Sequence, residues 1–383
     1  MQIAYANGIG FETASLGELT QALKVAKPSH IVFDSPVKTR KEIRLAMASG
    51  VHLNVDNLTE LERVSEAVQS PGGNKPRETD TNSGGALHTQ YIGVRINPQV
   101  GAGSIATHST STSTSKFGVP LLDMRDDLIA AYRTHTWLNA IHVHVGSQGV
   151  AGHLAVAGIK AVVDFAIVIN RQTNGQIKCV DIGGGLSVNF GSDAITPTFQ
   201  DYADLLRQEI PQLFDDTFSR VLTEFGRSLT AKAGWFGSRI EYTKNSGGRH
   251  IAAQHCGADL CIRTIYHPEI WTLRVSVLDS EGFPVDESQP NRTSVCTDVA
   301  GPCCIAGDII AHERQLPQLH AGDFVVVHDV GGYYMASYSR YNCRQAPPVI
   351  GYNYTTDCDV QIDFEVLQKG ETVEQSLDMF NRY

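Results

Sequence analysis

Residues 179–190 read CVDIGGGLSVNF, an apolar run of strand length closed by Gly183, Gly184 and Gly185. Three glycines directly after a strand let the backbone come close to an anion, and the amides of such a turn can cradle phosphate oxygens. A glycine turn can also be only a turn, so its neighbours decide its meaning. The preceding strand candidate ends in HVHVGSQ (142–148), which offers His144 and Ser147. The following one ends in LTEFGRS (222–228), which offers Glu224 and Arg227. In a parallel barrel these strand ends share one rim, and phosphate groups sit at the loops after the late strands. A carboxylate, a guanidinium, an imidazole, a hydroxyl and a glycine nest on one rim are harder to explain by packing than any one of them alone.

Working outward, the first 235 or so residues alternate short β-rich runs with helical patterns, which implies parallel strands joined by crossover helices. Strand candidates are Gly10–Ser15, His30–Asp34, Val51–Asp56, Tyr91–Ile96, Ala140–Val145, Lys178–Ile182 and Arg220–Glu224. Between them, LGELTQALKVA (16–26), KTRKEIRLAMAS (38–49) and NLTELERVSEAV (57–68) repeat apolar residues at helical spacing. Residues 1–9 read as the tail of a helix. A closed (β/α)8 barrel needs eight strands, so the expectation is a TIM-type barrel whose first βα unit lies before Met1. An open seven-strand sheet is the alternative.

Residues 69–90 are rich in Gly, Pro, Asn, Thr and Ser and read as a mobile insertion. The polar run THSTSTSTSKFG (107–118) follows a strand, where active-site loops gather. From residue 236 the pattern changes. RIEYTK, WTLRVSVLD, CTDVAGPCC, DFVVVHDV and VQIDFEVLQ have strand length with Gly, Pro and Asp turns between them. Residues 236–383 are therefore expected to form an antiparallel β domain, a sandwich or small barrel, after a barrel domain at 1–235.

Composition narrows the class. The 383 residues carry 31 basic and 41 acidic side chains, a net charge of −10 that does not suggest a nucleic-acid surface. No apolar run approaches the roughly 20 residues of a membrane span, and MQIAYANGIGFETAS has no secretory pattern. Eight scattered cysteines without a CxxC pair read as thiols of a reducing, cytoplasmic compartment. His255, Cys256 and Cys261 lack further ligands for a metal site.

In order along the chain, HVHVGSQG, DIGGGL, EFGRSLTAKAG, GPCCIAGD, LPQLHAGDFVVV and GGYYMASYSRYNCR resemble the pyridoxal-phosphate decarboxylases with an alanine-racemase-like barrel. This group includes the diaminopimelate, ornithine and biosynthetic arginine decarboxylases. GFETASLGEL, RINPQVGAG and SKFGVP extend the resemblance over nearly the whole chain, closest in form to diaminopimelate decarboxylase. The resemblance implies pyridoxal 5'-phosphate as cofactor, an amino-acid substrate and a homodimer with shared active sites. It implies that Gly183, Gly184, Gly185, Ser147, Gly226, Arg227 and Tyr333 hold the cofactor. Glu224 would pair with the pyridine nitrogen and His144 would stack on the ring. Cys304 would reprotonate the intermediate after CO2 leaves, with Cys303 as its neighbouring alternative. Arg263 and Tyr266 would meet the substrate, as would Tyr333.

Three departures qualify what the resemblance implies. The family's Schiff-base lysine lies well before the segment matching GFETAS, whereas eleven residues precede Glu12 here, so its position falls before Met1. The acidic residue that follows the family's catalytic cysteine is Ile305 here, which points to a neutral or differently charged distal substrate group. Arg263 and Tyr266 stand one residue closer together than the matching pair in the diaminopimelate enzymes. A non-catalytic binding homologue is the competing reading, and a racemase a third.

Overall fold

The computed structural model describes residues 1–69, 90–105, 109–355 and 361–380. Most of the insertion expected at 69–90 lies outside the described residues. The chain divides into two units, one of residues 1–188 and 195–228, the other of 189–194 and 229–383.

The first unit is a barrel-type parallel sheet. Its strands are β1 (Phe11–Thr13), β2 (Ile31–Phe33), β3 (His52–Val55), β4 (Ile92–Asn97), β5 (Val119–Pro120), β6 (Ala140–His142), β7 (Cys179–Asp181) and β8 (Arg220–Leu222). All seven expected strands are present, running β1-β2-β3-β4-β6-β7-β8, each parallel to the next. The additional β5 is two residues long and pairs with the end of β4. β2, β3 and β4 are buried at every position, as expected of strands covered on both faces. Side-chain contacts show that the sheet curls. Asn54 Nδ2 on β3 donates to Asp181 Oδ2 on β7 at 3.2 Å, although two strands lie between them.

Local chemistry sets the crossover helices. After a short helix α1 (Gln2–Ala6) come α2 (Leu16–Leu23), α3 (Arg40–Ser49), α4 (Leu58–Gln69), α5 (Arg125–Thr134), α6 (Gly152–Gln172), α7 (Phe199–Glu209) and α8 (Arg227–Thr230). In α3 the Thr39 hydroxyl accepts from Glu42 N–H at 3.2 Å while Glu42 returns an acceptor to Thr39 N–H at 2.7 Å. Gly50, at φ +77°, ends that helix in the left-handed conformation.

Helix α6 has 21 residues and is, by length and composition alone, long and apolar enough to cross a membrane, although Lys160 and Asp164 leave no uninterrupted apolar run of that length. The same composition serves the barrel. Val156, Ile159, Val162, Val163, Phe165, Ala166 and Ile169 are buried in the first unit's core. Lys160, Asp164 and Arg171 interrupt the run when it is read along the chain, and they lie off that buried set.

The second unit contains β9 (Phe236–Arg239), β10 (Tyr242–Ser246), β11 (Arg249–Ala253), β12 (Val275–Leu278), β13 (Ser294–Ala300), β14 (Ile309–Pro317), β15 (Phe324–Val327), β16 (Val349–Thr355) and β17 (Gln361–Gln368). They form sheets β10-β11-β13-β14 and β12-β15-β9, and a hairpin β16-β17. The domain is antiparallel as expected, except that β11 and β13 pair in parallel. β11, β14 and β16 have no counterpart among the expected strands, and β9 meets the expected RIEYTK run only at Arg239. β14, IIAHERQLP, has too many polar residues to read as apolar strand, and β11 is reached through a Gly247-Gly248 turn with both φ values positive. The short helix α9 (Ile262–Tyr266) lies between β11 and β12 in sequence, and α10 (Val373–Asp378) follows the hairpin.

Ile141, at the centre of β6, is fully buried. Ile141→Ala is expected to destabilise the first unit by about 2–5 kcal/mol, read as a lower urea midpoint of its unfolding transition.

Candidate active site

Charged side chains gather inside the curled sheet at the C-terminal ends of its strands. Asp34 follows β2, Arg95 lies on β4, His142 on β6, Asp181 ends β7 and Glu224 follows β8. Arg95 Nη1 stands 3.0 Å from Asp34 Oδ2. His142 stands between two carboxylates, with Nδ1 3.6 Å from Asp34 Oδ1 and Nε2 3.5 Å from Glu224 Oε2. All of these side chains are buried, so their charges are poorly solvated.

That burial decides their protonation. Burial pushes the Asp181 and Glu224 carboxyls well above the usual range, and neighbouring carboxylates push in the same direction. A hydrogen bond between the two side chains adds to the rise at Asp181 and opposes it at Glu224. His142 is held below its ordinary value by burial, against the pull of Asp34 and Asp181. His144, just beyond β6, is driven down to about 3 by burial, Arg95 and His142, so its ring is neutral. Glu12 on β1 adds a further carboxyl that interacts with Glu224, Asp34 and Asp181.

The glycine turn sits beside this cluster. Gly183 and Gly185 have φ of +69° and +100°. A Cβ at Gly183 would lie 2.6 Å from Val143 O, one at Gly184 2.3 Å from Glu224 O, and one at Gly185 2.0 Å from Gly146 O. The glycines thus let the β6, β7 and β8 ends close together. Two amides are already engaged: Gly183 N–H donates to Asp181 Oδ1 at 3.0 Å and Gly184 N–H to His144 Nδ1 at 3.1 Å. The second bond makes Nδ1 the unprotonated nitrogen of a neutral His144. Arg227 is buried at the start of α8, Gly226 before it is exposed, and Ser147 is partly buried beyond β6.

Residues with no assigned role in the sequence reading complete the rim. Gln148 grips Val188 through both main-chain groups, at 2.7 and 2.9 Å, and so ties the segment after the turn to the end of β6. The polar run after β4 is part of the rim: Ser109 pairs with Gly146, and Thr110 N–H donates to Val145 O at 3.2 Å. Lys116 lies over the Phe117 ring. Lys38, a buried lysine nearby in sequence to Asp34, is committed to Glu60 Oε1 at 2.8 Å and to the Ser35 and Asn54 carbonyls.

The cluster has unmet bonding capacity. Asp34 Oδ1, Glu224 Oε1 and both ring nitrogens of His142 are buried without hydrogen-bond partners. Asp34, His142 and Glu224 are also the one group of possible metal ligands found among the described residues. Arg95 already neutralises Asp34, and the adjacent flat His144 ring and glycine turn suit an aromatic ligand bearing an anionic arm. The residues fit pyridoxal phosphate: Glu224 for a ring nitrogen, His144 for a ring face, and Arg227 with the glycine turn for the phosphate.

The second unit carries the remaining candidates. Arg263 on α9 lies between two rings, 4.8 Å from Tyr333 and 5.3 Å from Trp271. Its Nη1 is buried without a hydrogen-bond partner, and burial lowers its guanidinium from the ordinary value. Tyr333 has φ +72°, and both it and Tyr266 are exposed. On the β13–β14 turn the two cysteines differ: Cys303 is buried, with its thiol pushed up to about 11, whereas Cys304 is exposed.

Comparison with known proteins agrees with this geometry. The family model described as "Pyridoxal-dependent decarboxylase, pyridoxal binding domain" matches residues 1–231. Diaminopimelate decarboxylase of Aquifex aeolicus is 28% identical over 343 residues, covering 88% of this chain and 74% of that protein. The Archaeoglobus fulgidus enzyme of the same name is 29% identical, covering 90% and 76%. Among solved structures, diaminopimelate decarboxylase from Helicobacter pylori complexed with L-lysine aligns with a TM-score of 0.77 at 22% identity, over 99% of this chain and 86% of that one. The Paramecium bursaria Chlorella virus arginine decarboxylase bound to agmatine aligns at 0.70 and 19% identity, over 89% and 82%. With more than half its length matched by the family model and its strand ends bearing the matching chemistry, the chain belongs to the pyridoxal-dependent decarboxylases.

Proposed function

We propose that the protein decarboxylates an amino acid in the manner of diaminopimelate decarboxylase, as a homodimer using pyridoxal phosphate. The observation that carries this reading is Glu224, buried beside the glycine turn with Oε1 lacking a hydrogen-bond partner. When bound, the cofactor supplies an electron sink for the carbanion left by CO2. Glu224, which burial keeps protonated, would supply a proton to the ring nitrogen and remain beside it as the counter-charge. His144, neutral and anchored by Gly184 N–H, covers one ring face. Gly183, Gly184, Gly185, Ser147, Gly226 and Arg227 receive the phosphate, with Tyr333.

Proton return to the substrate carbon is assigned to Cys304, since an exposed thiol can exchange its proton and the buried Cys303 thiol yields its proton less readily. Arg263 and Tyr266 take the distal end of the substrate. A guanidinium stacked between two rings with an open donor is preorganised for a carboxylate. Ile305, packed against the second unit's core, offers a distal ammonium no counter-charge. The favoured substrate is therefore an amino acid with a distal carboxylate.

A screen of CO2 release from diaminopimelate, 2-aminoadipate, glutamate, lysine, ornithine and arginine, with pyridoxal phosphate and with or without a small primary amine to carry the aldehyde, tests this. Release is expected from 2-aminoadipate and glutamate, whose distal group is a carboxylate alone, and release from diaminopimelate, which adds a distal ammonium, would contradict the weight given to Ile305. Release from lysine, ornithine or arginine alone would refute the role given to Arg263 and Ile305. A bound cofactor with no release from any substrate would favour a non-catalytic homologue. Arg263→Met is expected to raise KM for the best substrate by about tenfold or more with a smaller change in kcat.

A pH prediction follows from the buried pair. Free carboxyls titrate near 4, whereas Asp181 and Glu224 in the folded protein keep protons to higher pH. The folded chain thus binds more protons than the unfolded one above that value, and stability falls as pH rises. The melting temperature of the cofactor-free protein is expected to drop between about pH 5 and pH 8. Glu224→Gln is expected to flatten that slope and weaken pyridoxal phosphate binding, and an unchanged slope would count against a proton held on Glu224.

A further inference from the structure

Asp308 closes the turn that carries Cys304, and its carboxylate is almost fully buried. One oxygen accepts Cys303 N–H at 2.6 Å, next to Cys304. The other accepts Ala258 N–H at 2.7 Å, in the loop that runs into α9 and Arg263. Two glycines make room for it. A Cβ at Gly257 would lie 2.5 Å from the Asp308 oxygens, and one at Gly301 2.4 Å. The main chain of Asp308 closes the same turn, accepting Gly301 N–H at 2.7 Å and donating to Ile305 O at 3.0 Å. A second buried acid, Asp259, fastens the loop from the other side, bound to Gly257 N–H at 3.2 Å and Arg344 Nε at 2.8 Å. Asn342 Oδ1 then accepts Cys304 N–H at 2.8 Å.

We propose that Asp308 is a positioning residue that sets Cys304 and the Arg263 segment in one fixed arrangement. One carboxylate joins the two segments through backbone amides, so neither can shift without breaking a charge-assisted hydrogen bond. A displacement of about 1 Å at a proton-transferring group costs up to about a hundredfold in rate. An apolar or amide side chain cannot replace it: Asn has one acceptor oxygen and would turn its NH2 toward the other N–H. The inference rests on the reading of Cys304 as proton donor and Arg263 as carboxylate binder.

The experiment uses the full chain with pyridoxal phosphate and compares Asp308→Asn, Cys304→Ala and the double variant. Asp308→Asn is expected to lower kcat about tenfold or more, raise KM, leave cofactor affinity unchanged, and alter the rate at which iodoacetamide alkylates Cys304, followed on its peptide by mass spectrometry. The alkylation rate reports on the turn without any turnover. In the Cys304→Ala background the same change is expected to add little to the loss in kcat, because both act on one proton transfer. If Cys304→Ala alone leaves turnover intact, the proton-donor reading fails. If Cys304→Ala is impaired while folded Asp308→Asn keeps wild-type kcat, KM and alkylation rate, the positioning proposal fails. Fully additive losses would also overturn it. Asp308→Glu, which keeps the charge but moves it outward, is expected to be intermediate and serves if Asp308→Asn does not fold; wild-type behaviour in Asp308→Glu would sink the proposal.

Discussion

Within the barrel unit the governing constraint is an excess of buried acid. One guanidinium, Arg95, faces Asp34, with Asp181 and Glu224 across His142. The strands supply too little positive charge for all three carboxyls to ionise in a poorly solvated interior. The protein answers by retaining protons on Asp181 and Glu224 and by keeping His142 and His144 neutral. An interior arranged in this way is unfavourable for folding alone and well suited to a ligand that brings a protonatable nitrogen.

The glycine turn shows how packing and binding coincide. Its glycines are required because the Val143, Gly146 and Glu224 carbonyls come too close for any Cβ. Its amides in part orient the site's own residues, Asp181 and His144. The turn is thus as much a device for bringing three strand ends together as an anion cradle. Gln148 and Thr110 extend the same logic, each tying a loop to the end of β6.

Much of the site was legible before folding. Glycines, a carboxylate and a guanidinium at successive strand ends stand out because strand packing does not call for them. Arg95 and Asp181 open the segments RINPQVGAG and DIGGGL, yet only the folded sheet brings them together with Asp34 in one charged cluster. His142 takes its electrostatic part only from its place between Asp34 and Glu224. Helix α6 shows that apolar composition alone cannot distinguish a helix lying on a barrel from one lying in a bilayer.

From the sequence alone came the alternation of strands and helices, the order of the parallel strands, the change to β structure after the barrel, and the family motifs. These are local, because side-chain periodicity and turn chemistry act over a few residues. Which carboxyls keep their protons, which histidine tautomer is held, and how Asp308 joins two distant segments were decided only by tertiary structure. Those properties depend on burial and on distances of a few ångströms between residues far apart in the chain, and Asn54 and Asp181, 127 positions apart, meet only because the sheet curls.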